Sequence, residues 1–117
     1  MKDSPLRTKA KTFALDIIAL CANLDTKKGK SVLINQITRS ATSIGANLHE
    51  ANYANSKADF VNKLHIALKE CYETQYWLDL LVGSNTIDQT VYEKLLQDCG
   101  SIQRMLTKSL NTAKEKE

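Results

Sequence analysis

Four stretches of this chain carry an apolar residue at every third or fourth position, a spacing that gathers each set onto one stripe of an α-helix. The first stripe is Leu6, Ala10, Phe13, Ile17, Leu20 or Cys21, and Leu24; the second is Ile34, Ile37, Ala41, Ile44, Leu48 and Ala51. The third is Phe60, Leu64, Ala67, Cys71, Leu78 and Leu81, and the fourth is Val91, Leu95, Cys99, Ile102, Leu106, Leu110 and Ala113. No β-branched alternation and no Asn-Gly hairpin competes with this pattern, so the fold class is all-α. Local signals bound the helices. Ser4 is an N-cap candidate ahead of Pro5 at the first helical position, and Ser31 is a second N-cap candidate. Ser56 with Asp59 three residues on resembles a capping box with the shorter acid. Gly83 and Asn85 mark the end of the third helix, and the fourth opens at Thr86 or Asp88. The spacing therefore predicts helices over about 5–24, 32–53, 57–82 and 88–113, followed by a charged AKEKE tail that frays. Short turns favour antiparallel neighbours, which gives an up-down-up-down four-helix bundle, and no linker divides residues 1–117, so one domain is expected.

Composition agrees with a packed domain: 43% of the residues are hydrophobic and 25% charged, close to the soluble average. Charges interrupt MKDSPLRTKAKTF where a signal peptide needs an apolar run, and no stretch approaches the roughly 20 apolar residues of a membrane span. A cytoplasmic protein without a membrane partner is the expectation. Cys21, Cys71 and Cys99 are odd in number and lie in apolar patterns about a helix apart, which reads as buried free thiols. Charge is unevenly spread. Lys2, Arg7, Lys9, Lys11, Lys27, Lys28 and Lys30 stand against Asp3, Asp16 and Asp25, an excess of four within the first thirty residues of a chain whose net charge is +3. Such an end suits either weak polyanion binding or a solvated helix face followed by a Lys-rich turn.

The stretch RSATSIGANLHEA, residues 39–51, is unusual for a helix because Ser, Thr, Gly and Asn hydrogen-bond the backbone locally or cost entropy there. Ser40, Ala41, Ser43, Gly45 and Ala46 leave most of its circumference small, which admits close neighbours on more than one face and points to packing beyond a monomer. One line of this helix is polar: Arg39, Ser43, Asn47 and Glu50; the third helix carries Glu70, Glu73 and Trp77. Arg39 paired with Glu73, or Asn47 with a carboxylate, would form a partly buried network that sets helix register. Exposed pairs within one helix, such as Lys69 with Glu73, explain the same residues equally well. Tyr72, Tyr76 and Trp77 read as a core edge or subunit interface, with base stacking as the alternative.

Chemistry for catalysis is missing from the sequence. His49 and His65 have no Glu three residues before them, so a carboxylate-bridged metal bundle lacks ligands, and no Gly-rich phosphate loop, HExxH or GxSxG occurs. The expectation is a protein that is not an enzyme and takes no cofactor or metal.

QITRSATSIGANLHEA followed by SKADFVNKLHIALKECYETQYWLDLL resembles the core signature of the small four-helix-bundle proteins encoded in intervening sequences of bacterial 23S rRNA genes, often labelled ribosomal proteins. More distantly, the chain is similar to the accessory variability proteins of diversity-generating retroelements. The resemblance spans nearly the whole chain and is most specific over residues 36–82, on Arg39, Ser40, Ser43, Ile44, Asn47 and Glu50 and on Phe60, Leu64, Ala67, Glu70, Glu73, Trp77 and Leu78. Many members have Gly directly after the second-helix Glu, where this chain has Ala51. The resemblance implies a homopentameric ring of up-down bundles. It further implies an RNA-binding accessory role, since the retroelement proteins bind a reverse transcriptase and nucleic acid through a basic pentamer surface. Contacts would then fall on Lys9, Lys11, Lys27, Lys28, Lys30 and Arg39. The alternative is a protein-interaction scaffold, or a reverse-transcriptase partner that does not touch RNA.

Overall fold

The computed structural model describes residues 4–24 and 30–115 and consists of four α-helices: α1 (Pro5–Ala22), α2 (Ser31–Ala51), α3 (Lys57–Gly83) and α4 (Gln89–Glu115). They form an up-down four-helix bundle in which each helix packs on its chain neighbour and α4 returns to α1, while the diagonal pairs stay apart. The α2/α3 seam is the most extensive and the α1/α4 seam the least. Helices of 27 residues rise about 40 Å, which accounts for most of the 49 Å long axis of a body only 22 × 21 Å across.

Capping chemistry explains the helix boundaries. Ser4 Oγ accepts from the Arg7 amide at 3.1 Å, Ser56 Oγ from Asp59 at 3.0 Å, and Asp88 Oδ1 from Val91 at 2.8 Å, each satisfying a donor the first turn leaves open. Ser31, in contrast, is the first residue of α2 rather than its cap. Lys30 occupies the cap position with helical backbone angles and makes no side-chain capping bond. At the end of α3 the amides of Asn85 and Thr86 return to the carbonyls of Val82 and Leu81, with Asn85 at φ 60°, a left-handed closure that Asn tolerates better than most residues. α2 ends on Ala51 with Asn52 still right-handed, so no glycine is required there. α4 continues to Glu115 instead of fraying after residue 113, because Ala, Lys and Glu are strong helix formers.

The four stripes meet in one core in which Phe13, Ile17, Ile37, Ile44, Leu48, Leu64, Leu78, Leu81, Ile102 and Leu106 are essentially inaccessible to water. Cys71 and Cys99 lie within it, and the Cys71 thiol is pushed up by hydrogen bonding with Cys99 and by burial. Cys21, expected to be buried, is only half-buried, since it sits in the last turn of α1 where the core tapers. Tyr72 and Tyr76 point to water and do not join the core edge, whereas Trp77 packs partly against it.

Both unusual faces of α2 have partners inside the chain. Toward α3, the fully buried Thr74 Oγ1 donates to Ser40 Oγ at 2.8 Å, with the Glu70 carbonyl also 2.8 Å away, and Ser40 Oγ donates to the Ile37 carbonyl at 3.3 Å. Toward α1, a Cβ on Gly45 would stand 3.9 Å from Ala10 Cβ, an ordinary contact distance that reflects close helix approach. Ser40 thus faces α3 and Gly45 faces α1 of the same chain, while Ala46 remains exposed.

Candidate functional site

Two polar regions lie on opposite flanks of α2. On the α3 flank, Arg39 forks across the seam: Nη1 donates to Glu70 Oε2 at 3.2 Å, Nη2 to Glu73 Oε1, and Nε to Gln36 Oε1 at 3.5 Å. Trp77 Nε1 donates to the same Glu73 oxygen at 3.3 Å, so Glu73 serves α2 and its own helix rather than Lys69. The Glu70 side chain is 11% exposed and that of Arg39 50%, which places a nearly buried carboxylate beneath a half-exposed guanidinium. The hydrogen bond to Glu73 is the main reason the Arg39 guanidinium holds its proton even more firmly than usual. This is a register device of planar recognition, for which Arg is better suited than Lys.

The remaining residues of the polar line do not join that group. Asn47 Nδ2 donates to the Ser43 carbonyl at 2.8 Å and to Ser43 Oγ at 3.1 Å, one turn back on its own helix, and Glu50 pairs with Lys63 at 3.0 Å. The structure thus brings together Arg39, Glu70 and Glu73 and leaves Ser43, Asn47 and Glu50 beside them.

The basic candidates separate by what they already hold. Lys30 Nζ donates to the Ser84 carbonyl at 2.9 Å and to Thr86 Oγ1 at 2.8 Å, which ties the start of α2 to the α3–α4 turn. Arg39 is committed to its carboxylates. Lys27 and Lys28 lie outside the described residues. Among the described residues no carboxylate lies within ion-pair distance of Arg7, Lys9 or Lys11.

Lys11 borders an open groove of about 420 Å³ between α1 and α2, lined by Arg7, Thr8, Lys11, Ala14, Thr42, Gly45, Ala46 and His49. Arg7 Nη2 lies 3.1 Å from His49 Nδ1, and because guanidinium only donates, that ring nitrogen is the acceptor. None of these lining residues is acidic. Arg7, Thr42 and His49 are groove members outside the contact set expected from the sequence. Their signal is a second, outward stripe at helical spacing, Arg7-Lys11-Ala14 on α1 and Thr42-Ala46-His49 on α2. Among the described residues no cluster of three His, Cys, Asp or Glu side chains is arranged to hold a metal, and no helix is long and apolar enough to cross a membrane.

The family model described as 23S rRNA-intervening sequence protein matches residues 2–108. The chain belongs to the 23S rRNA-intervening sequence protein family. A crystal structure of a protein of unknown function from the S23 ribosomal protein family of Bacteroides thetaiotaomicron VPI-5482 superposes with a TM-score of 0.85 at 43% identity. That similarity covers 90% of this chain and 97% of the other. No curated protein matches. The span matched by the family model includes the residues of the fork, Arg39, Glu70 and Glu73.

Proposed function

We propose that this family member is a non-enzymatic cytoplasmic accessory protein that binds RNA through the α1 side of the bundle, acting as a homopentamer. The observation that carries the reading is the charge of α1, where Arg7, Lys9 and Lys11 fall within five residues against the single carboxylate of that helix, Asp16, and form no ion pair among the described residues. Unneutralised cations on one helix attract phosphates by releasing counterions, and five copies in a ring would multiply a weak site. The assembly reading draws on the family resemblance and on Leu15 and Ile18 of α1 with Tyr72 and Tyr76 of α3, large apolar side chains that a lone bundle leaves in water. These patches are different surfaces, which suits a head-to-tail ring better than a two-fold dimer.

The exposed Tyr72 and Tyr76 favour a second reading, a scaffold that docks a protein such as a reverse transcriptase without touching RNA. A salt series of RNA-binding isotherms separates the two. The first reading predicts affinity that falls log-linearly as salt rises, and an absence of binding at low salt would leave the scaffold.

A further inference from the structure

We propose that the α1–α2 groove is a binding site for single-stranded RNA in which Arg7 and Lys11 hold a phosphodiester and Tyr53 stacks on the adjoining base. The inference rests on the RNA-binding reading and assigns it a place and a strand type. The groove combines a guanidinium and an ammonium one helical turn apart with a floor of Ala14, Gly45 and Ala46, whose small side chains let a phosphate approach both helices. His49 holds the Arg7 fork in place through its Nδ1, so the cation is oriented before a ligand arrives. Thr42 supplies no donor, since its hydroxyl already donates to the Thr38 carbonyl at 2.7 Å, and Thr8 supplies the hydroxyl on the opposite wall.

What separates a nucleotide strand from a bare anion is the aromatic ring beyond the cations. Tyr53 is 70% exposed and its ring leans on His49, with centroids 5.3 Å apart and planes at 58°. It follows His49 by four residues, two beyond the last residue of α2, which puts its ring next to the His49 wall of the groove, within reach of the base that adjoins a phosphate held by Arg7 and Lys11. Duplex RNA keeps its bases stacked inward and cannot use that ring, which is why the site is assigned to a single strand.

The test is fluorescence anisotropy with an end-labelled unstructured oligoribonucleotide. The proteins compared are the full chain, Arg7→Gln/Lys11→Gln, Tyr53→Ala, Ala46→Glu, and a control of equal charge change on other faces, Lys69→Gln/Lys108→Gln. Ala46 is solvent-exposed in a helix, so Ala46→Glu places a carboxylate in the groove without disturbing the core, and far-UV circular dichroism with light scattering verifies fold and mass. The expected result is at least tenfold weaker binding for the Arg7/Lys11 and Ala46→Glu proteins. Tyr53→Ala loses about fivefold or more, the control changes less than twofold, and the salt slope drops by about 0.7 when the one phosphate contact is removed. If the full chain binds and the groove variants bind equally well, the groove assignment is overturned while the RNA reading stands. If the full chain does not bind at low salt, both fall. In a third arm, inorganic phosphate that saturates the groove amides of Thr42, Gly45 and Ala46 in NMR, with no displacement by the oligonucleotide, would make the ligand a free phosphate and overturn the assignment to a strand.

Discussion

The hydroxyl pair between α2 and α3 offers a quantitative test of why α2 is built from small polar residues. Thr74→Val removes the hydroxyl while keeping the shape, so Ser40 loses its 2.8 Å partner but keeps its 3.3 Å bond to the Ile37 carbonyl. A buried hydroxyl stripped of one partner costs about 1 kcal/mol net, and Ser40→Ala, which strips Thr74 in turn, costs about the same. Removing both leaves no orphan, so the double variant should be less destabilised than the two singles combined, with a coupling of about 1 kcal/mol. For a domain of this size that corresponds to a shift of about 3–5 °C in Tm. Urea unfolding followed by far-UV circular dichroism and by Trp77 emission, at one fixed protein concentration because oligomerisation would otherwise shift the midpoint, gives the four free energies. A coupling below about 0.3 kcal/mol would refute the reasoning, since the two hydroxyls would then act independently.

Three further outcomes follow from the geometry. Arg39→Ala leaves the Glu70 carboxylate, 11% exposed, without its cation and should cost about 1–2 kcal/mol, less in a Glu70→Gln background. Arg39→Lys should recover only part, because an ammonium cannot fork to two carboxylates, and chemical denaturation that finds Arg39→Ala neutral would contradict the network. Gly100→Ala should stabilise α4 by about 0.5–1 kcal/mol in the same assay, because the only atom near the added methyl is the flexible Arg104 Nη1 at 3.3 Å. Tyr92 donates to Asp79 Oδ1 at 2.6 Å, and that hydrogen bond raises its phenol above the ordinary 10.0, with burial and the Asp79 charge adding to it. A folded pKa above the unfolded one means this contribution is complete below pH about 10 and is lost as pH rises through the folded value. The component lost from the tyrosinate absorbance titration in Tyr92→Phe should accordingly titrate above 10.0, and loss of a component at or below 10.0 would contradict the bond.

Much of this architecture is legible in the sequence because core formation depends on periodicity, and the stripes through Phe13, Ile44, Leu78 and Leu106 are periodic. The pairing of Arg39 with Glu70 and Glu73 was within reach for the same reason, as each residue lies on a flank set by its helix register. The groove was harder. Arg7 and His49 are 42 residues apart, and only the way α1 seats against Gly45 brings them together. Ser31 misled because a serine before a helix resembles a cap whether or not the backbone has already turned helical at Lys30. The assignment of Lys30 to RNA likewise had no means of anticipating that its ammonium is held by Ser84 and Thr86.

The central claim, an RNA-binding oligomer built from these bundles, is tested most directly by light scattering after size exclusion, with and without RNA. The account predicts a species of about five times the 13.1 kDa chain mass that grows further when RNA is added. A species at the single-chain mass, unchanged by RNA, would contradict it.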